Sequence, residues 1–184
     1  MMYKRYSIPV ATFLLFLLAS VPVHAVIASD ESEVRGVVQA SFEQLKSGQY
    51  DQLYDSLPAA SKSKVSRERF TDALNKSRGK YNLERIEIGA VHVSGNIAAV
   101  DTVMYGSVQQ PVQAEGKIVS QLLLTREDGR WRIAIGDTAT TQRLLAANPA
   151  FAKTFQLRAP HTYMKQNGRW VDITTLIRQA RRAG

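Results

Sequence analysis

The hydrophobic period along the chain changes from helical to alternating, and the change divides it into helices followed by strands. Val34, Val37, Val38, Phe42 and Leu45 fall on one face at helical spacing. Asp30 stands before that run and Glu33 three residues later, the spacing of a capping box, and Gly48 stands where a helix stops. The pattern predicts a helix opened by Asp30 and closed at Gly48. Tyr50, Leu53, Tyr54 and Leu57 repeat at i, i+3, i+4 and i+7 and predict a short second helix that Pro58 ends. Ala59 to Lys64 reads as a polar link. Ser66 is set to cap a third helix, with Val65 and Phe70 at hydrophobic-staple spacing, Leu74 continuing the face and Gly79 closing it.

From Leu83 the period becomes two. Ile86 and Ile88 alternate with Arg85 and Glu87, and the shift to Val91 and Val93 after Gly89 predicts a bulge. Ser94-Gly95-Asn96 is a turn leading to a second strand, Ile97 to Tyr105. Gly106 to Pro111 reads as a loop, and Ala114 to Thr125 as a long third strand. Glu127-Asp128-Gly129-Arg130 turns the chain back into a fourth strand, in which Trp131, Ile133 and Ile135 line one face and Asp137 ends the run. Helices followed by an antiparallel meander, without alternating βαβ units, make this an α+β chain.

Charge separates the remainder. Residues 26–137 hold 14 basic and 15 acidic side chains, while 138–184 hold eight basic side chains and a single acid, Asp172. Within this basic C-terminal extension, Thr138 to Ala147 predicts a helix. Lys165-Gln166-Asn167-Gly168-Arg169-Trp170 repeats the turn-plus-Trp pattern of residues 127–131 and predicts a hairpin. A last helix runs from about Thr174 to Arg182. At the other end, Lys4 and Arg5 precede the apolar run Ile8 to Val21, and Val23-His24-Ala25 offers small residues to a signal peptidase. The run is shorter than the roughly 20 residues of a membrane helix. The expectation is a signal peptide over 1–25, a mature chain from Val26, and a periplasmic or secreted location. An uncleaved anchor is the alternative. The chain has no cysteine, which excludes disulfides, thiolate nucleophiles and thiolate metal sites.

Two segments carry a resemblance. Ser47-Gly48-Gln49-Tyr50-Asp51-Gln52-Leu53-Tyr54 follows the first amphipathic helix, and Asp128-Gly129-Arg130-Trp131-Arg132-Ile133 closes the meander. Over residues 30–137 the chain resembles the nuclear transport factor 2-like superfamily, the cystatin-like cone shared by ketosteroid isomerases and polyketide cyclases. The resemblance implies N-terminal helices packed on a curved antiparallel sheet, with a pocket between helix and sheet. It implies domain limits of 26–137 for the cone and 138–184 for the extension. Fold analogy does not choose between enzyme and binding protein.

Proton-transfer chemistry in such a cone needs a carboxylate and a hydrogen-bond donor. Asp137 alternates with Trp131, Ile133 and Ile135. Asp101 and Tyr105 share a strand face with Ile97, Ala99 and Val103. These three are the candidate acid–base residues. Each has a plainer reading: Asp137 as a helix cap, Tyr105 as a rim residue, and Asp101 outside a core face made by Val100, Thr102 and Met104. Tyr54, Tyr105 and Trp131 are the candidate ligand contacts at the cone mouth. His92 points away from Val91 and Val93 as a solvated strand residue, and His161 has no carboxylate nearby in sequence. No spacing supports a metal site or a serine elbow, and no cofactor is expected. In the extension, Arg178, Arg181 and Arg182 are candidates for binding an anionic envelope surface, and Tyr163 and Trp170 for stacking. Leu157, Trp170 and Leu176 could instead pack the extension on the cone.

The expected function is an exported, non-catalytic binding or accessory protein, with a small apolar ligand or a protein partner in the cone. The alternatives are a small isomerase or cyclase with a buried carboxylate base, and a structural partner in an envelope assembly that dimerises through the sheet. Export disfavours nucleic acid as a partner.

Overall fold

The first helix begins one residue earlier than the capping-box spacing predicts. The computed structural model describes residues 29–109, 113–135 and 138–183, with side chains in the last stretch from 139 to 179. Ser29, extended at φ −63° and ψ 152°, caps α1 (Asp30–Ser47) by accepting from the Ser32 amide at 3.3 Å. Asp30 thereby becomes the first helical residue, and its carboxylate pairs with Arg126. Gly48, at φ 78°, ends α1 in the left-handed conformation that suits glycine. α2 (Tyr50–Asp55) follows, then a single turn, α3 (Ala59–Lys62), inside the stretch that reads as a polar link. Pro58 starts that turn instead of merely stopping α2, because its fixed φ suits the residue before a helix. Ser66 caps α4 (Arg67–Arg78) through the Arg69 amide, as expected.

Among the described residues the sheet has six strands. They are β1 (Tyr81–Ser94), β2 (Ile97–Val108), β3 (Ala114–Glu127), β4 (Arg130–Ile133), β5 (His161–Gln166) and β6 (Arg169–Asp172). β1 to β4 form the expected antiparallel meander. β1 carries register shifts against β2 at Leu83/Arg85 and at Ile88/Val91, the second at the bulge that Gly89 predicts. β2 runs on to Val108, through what the sequence reads as a loop. Gly106 lies inside it because β1 passes close: a Cβ there would sit 2.4 Å from the Asn82 carbonyl oxygen. β4 ends at Ile133, so Ile135 leaves the alternation and is 43% exposed. Asp137 and the leader with its cleavage site lie outside the described residues.

The extension adds α5 (Thr138–Ala147), α6 (Pro149–Thr154) and α7 (Thr174–Ala183). Its hairpin joins the main sheet. β5 pairs with residues 116–119 of β3, on the same edge that β4 occupies at residues 124–127, and β6 pairs with β5. The two turns ending in Trp are alike in backbone: Asp128 and Gly129 at φ 50° and 73°, Asn167 and Gly168 at 49° and 77°. Positive φ at both central residues is the tight hairpin turn that Asp-Gly and Asn-Gly favour.

Both faces of the sheet are covered near the β1–β2 turn. On one face Val34 and Val38 of α1 pack with Ala98, Val100, Leu124 and Trp131, all buried. On the other, Ile97, Ala99 and Leu123 pack with Phe151 of α6, and Leu144, Leu145, Phe155 and Leu157 close around them. Burying each large apolar side chain stabilises the fold by roughly 1.5–3 kcal/mol. The extension therefore contributes a second core. Leu157 packs there as expected, whereas Trp170 and Leu176 stay 37% and 64% exposed.

Candidate functional site

Strand alternation sets which predicted residues can meet. Trp131 and Tyr54 lie in the packed helical side. Trp131 sits under the Arg126 guanidinium, 4.5 Å from its ring centroid, and its Nε1 is buried without a hydrogen-bond partner among the described residues. The Tyr54 hydroxyl donates to the Val65 carbonyl at 3.0 Å, and its ring contacts Phe70 and lies 4.8 Å from the Arg67 guanidinium. Asp101 and Tyr105 share a face, as alternation requires, but it is the face turned away from α1. The α1 face of β2 carries Ala98, Val100 and Thr102 instead, so Asp101 and Tyr105 do not enter the concavity under that helix. Tyr105 donates to Glu87 at 3.1 Å, under an Arg85 guanidinium 3.6 Å from its ring. Asp101 and Tyr105 are four residues apart on the strand and make separate contacts.

The outer face holds a groove of about 730 Å³ between β1, β2, β3 and the strap 158–163. This lies within the range of small-molecule sites. Val103 and Val119, opposed in register, floor it. Asp101 Oδ1 accepts from Gln121 Nε2 at 2.7 Å and from Arg158 Nη2 at 2.8 Å, and Gln121 Oε1 in turn accepts the Arg158 amide at 2.7 Å. Burial pushes the Asp101 carboxyl up, but the hydrogen bonds from Gln121 and Arg158 and the Arg158 charge outweigh it, leaving the group below its ordinary value. Gly89, at the bulge, makes room beside this carboxylate: a Cβ there would lie 3.2 Å from the Asp101 Cβ.

His161 and Tyr163 form the far wall. His161 has a carboxylate partner after all: its Nδ1 lies 2.8 Å from Asp172 Oδ2 across the hairpin. Hydrogen bonds from the Thr174 side chain and amide, then from His161, hold the Asp172 carboxyl down to about 2. Beyond Tyr163 the face continues as rings and cations. Lys117 Nζ stands 5.3 Å from the Tyr163 centroid and 4.7 Å from that of Trp170, and Lys165 pairs with Glu115 at 2.7 Å. Of the basic candidates, Arg178 is exposed on α7. Arg181 and Arg182 lie on the same helix with side chains outside the description.

Two smaller clefts lie nearby. One, of about 350 Å³, is lined by Val91, His92, Val93, Phe151 and Phe155, with the His92 ring 5.0 Å from Phe155. The other, of about 220 Å³, includes Ser61, Thr125 and Thr140. Ser61-Lys62-Ser63-Lys64 carries the Ser-x-x-Lys spacing of acyl-enzyme nucleophiles. Ser61 is 3% exposed, however, and its hydroxyl donates to the Ile135 carbonyl at 2.7 Å, while Lys64 bonds Thr140. The spacing is there without a presented nucleophile. Among the described residues, no group of three or more acidic or histidine side chains is arranged to hold a metal.

Helices on one face of a curved antiparallel sheet define the α+β cone of the nuclear transport factor 2-like proteins. The family model for the NTF2-like N-terminal transpeptidase domain matches residues 36–138, and the chain belongs to that family. No curated protein matches the sequence. Similar solved structures include a putative NTF2-like transpeptidase from Campylobacter jejuni, 11% identical over 59% of this chain and 100% of that one, with a TM-score of 0.41. An NTF2-like protein with a cystatin-like fold from Novosphingobium aromaticivorans is 13% identical over 62% and 88% of the two chains, with a TM-score of 0.43. An LEH-like epoxide hydrolase from M. tuberculosis is 16% identical over 67% and 97%, with a TM-score of 0.38. The matched segment ends where the extension begins, so the strap that walls the groove lies outside it.

Proposed function

We propose that this chain is an exported, non-catalytic accessory domain that binds its ligand or partner in the outer-face groove and works beside an envelope transpeptidase. The leader pattern supports export, and the family description supports the association. The observation that carries the non-catalytic reading is the state of Asp101. A carboxylate general base is most effective when its pKa is raised toward the working pH and its oxygens are free to take a proton. Asp101 is held low, with one oxygen accepting from both Gln121 and Arg158. Such a carboxylate orients and accepts; it is a weak base. The Ser61 hydroxyl, tied to a carbonyl, offers no acyl-transfer alternative.

The test is a carbon-detected NMR titration of the Asp101 carboxyl in the mature protein. It should titrate below its ordinary value of 3.8, and Arg158→Ala should raise it. A midpoint near neutral pH would restore the isomerase or cyclase reading.

A further inference from the structure

Resting on the reading of the groove as a binding site, we propose that its ligand is neutral and rich in hydroxyls: one or two sugar units of a glycan. The charge arrangement is the first ground. Among the described residues each carboxylate and guanidinium on the walls has an opposite partner, Asp101 with Arg158 at 2.8 Å and Glu87 with Arg85, and His161 is hydrogen-bonded to Asp172 at 2.8 Å. Each pair is half open to water, so a ligand charge gains little by displacing one of its members, and a neutral ligand has none to displace. A neutral ligand takes only what the pairs leave over.

What they leave over is a mixture of donors and acceptors. Among the described residues Asp101 Oδ2 accepts from nothing, Arg158 Nε and Nη1 donate to nothing, and the Tyr163 hydroxyl is unengaged. A hydroxyl donates and accepts through one oxygen, so neighbouring hydroxyls on a sugar ring can satisfy the carboxylate and the guanidinium together. These groups are also pre-set. Gln121 fixes Asp101, and its Oε1 holds the Arg158 backbone, so little side-chain freedom is lost on binding.

The floor supplies the apolar half. Val103 and Val119 lie opposite each other in register and offer a surface to the C–H face of a ring, with Tyr163 beside them. The bulge glycine completes the shape: the approach to Asp101 passes where a Gly89 side chain would stand. Beyond Tyr163, Trp170 remains partly exposed on the same face, with Lys117 and Lys165 over its ring.

The experiment is an amide NMR titration of the mature protein with three neutral probes, maltotriose, cellotriose and chitotriose. A triuronate and trilysine serve as anionic and cationic comparators. At least one neutral trisaccharide should shift the amides of Asp101, Gln121 and Arg158 at millimolar concentration. Asp101→Ala should weaken that binding by about tenfold, the effect of losing a hydrogen bond to a charged group. If the variant does not fold, the shift map of the unaltered protein decides alone. A neutral probe that binds away from these amides, or that ignores Asp101→Ala in a folded variant, overturns the proposal. If only a charged comparator shifts the groove amides, the groove binds but the ligand class is wrong. If no probe shifts them, the glycan proposal fails and so does the groove as a binding site for ligands of this size.

Discussion

Trp131 joins the last strand of the meander to the first helix, and truncating it should show how much the domain depends on that contact. The indole is 4% exposed and packs with Val34, Val38, Ala98, Val100 and Leu124. Trp131→Ala should cost about 3–5 kcal/mol for the transfer and the cavity. The Arg126 guanidinium above the ring would lose a cation–π partner worth a further ~1 kcal/mol. Arg126 is itself held by Asp30, with Glu33 at 3.8 Å, so the loss also loosens the start of α1. Against a total of about 5–15 kcal/mol this is a large fraction. It corresponds to a fall in melting temperature of roughly 8–24 °C at about 2–4 °C per kcal/mol for a chain of this size. Trp131→Phe should behave differently. It loses apolar area but removes a buried N–H that has no partner, and leaving such a group unsatisfied costs about 1–3 kcal/mol. The two effects nearly cancel, and the change should stay within about 1.5 kcal/mol. The assay is urea denaturation followed by far-ultraviolet circular dichroism, compared at constant m. Phe as damaging as Ala would mean that the indole N–H is bonded, and a loss below about 1.5 kcal/mol for Ala would refute the packing account.

Other outcomes follow from single features. Gly106→Ala should destabilise by about 1–3 kcal/mol because its Cβ meets the Asn82 carbonyl, while Gly36→Ala, with open space inside α1, should stabilise by about 0.5–1 kcal/mol; denaturation midpoints moving the same way would refute the distinction. The folded Asp172 carboxyl lies at about 2, below its ordinary 3.8, so its contribution to stability is present above pH 3.8 and is lost as pH falls toward 2. Asp172→Asn should flatten that part of the acid-unfolding curve, read by circular dichroism, and an unchanged curve would mean the Thr174 and His161 contacts do not matter to folding. If the basic extension meets an anionic surface, replacing Arg178, Arg181 and Arg182 with Gln should remove most low-salt co-sedimentation with phosphatidylglycerol vesicles. Binding by the unaltered protein should fade as the Debye length drops from about 30 Å at 0.01 M salt to about 8 Å at 0.15 M; no pelleting at low salt would leave the arginines without that role.

Features set by neighbours in sequence were legible, and those set by distant contacts were not. Gly48, Ser66, the Gly89 bulge and the Asp-Gly and Asn-Gly turns all act over one to four residues, and each stands where its local chemistry put it. Asp137 shows the limit: alternation carried the fourth strand to residue 137, but the strand ends at Ile133. The Asp101–Arg158 pair spans 57 residues, and nothing near either residue announces the other. Two signals could have been read further. A two-residue Asn-Gly turn fixes the hairpin register, which sets Asp172 opposite Tyr163 and beside His161. The unbroken apolar run Ile97-Ala98-Ala99-Val100 does not alternate, as befits a strand covered on both faces, and it implied a second layer beyond the N-terminal helices.

That second layer makes the extension part of the architecture, although the family match stops at residue 138. β3 is longer than β4, and residues 116–119 of its outer edge pair with β5. Without β5 those residues would present unpaired amides and carbonyls beside Ile118 and Val119, both already partly exposed. A bare strand edge with apolar side chains is a template for pairing with another chain. Near the β1–β2 turn, removing α5 and α6 would uncover Ile97, Ala99 and Leu123, which Phe151 now shields. A chain ending at residue 137 should therefore lose stability by several kcal/mol, at roughly 1.5–3 kcal/mol for each large apolar side chain exposed, and should self-associate. It should also lose the groove, since Arg158, His161 and Tyr163 go with the extension. Sedimentation velocity and urea denaturation of the truncated and mature chains separate the possibilities. A truncated chain that stays monomeric with an unchanged denaturation midpoint would mean that residues 26–137 fold as an independent unit and that the extension is carried by the domain without supporting it.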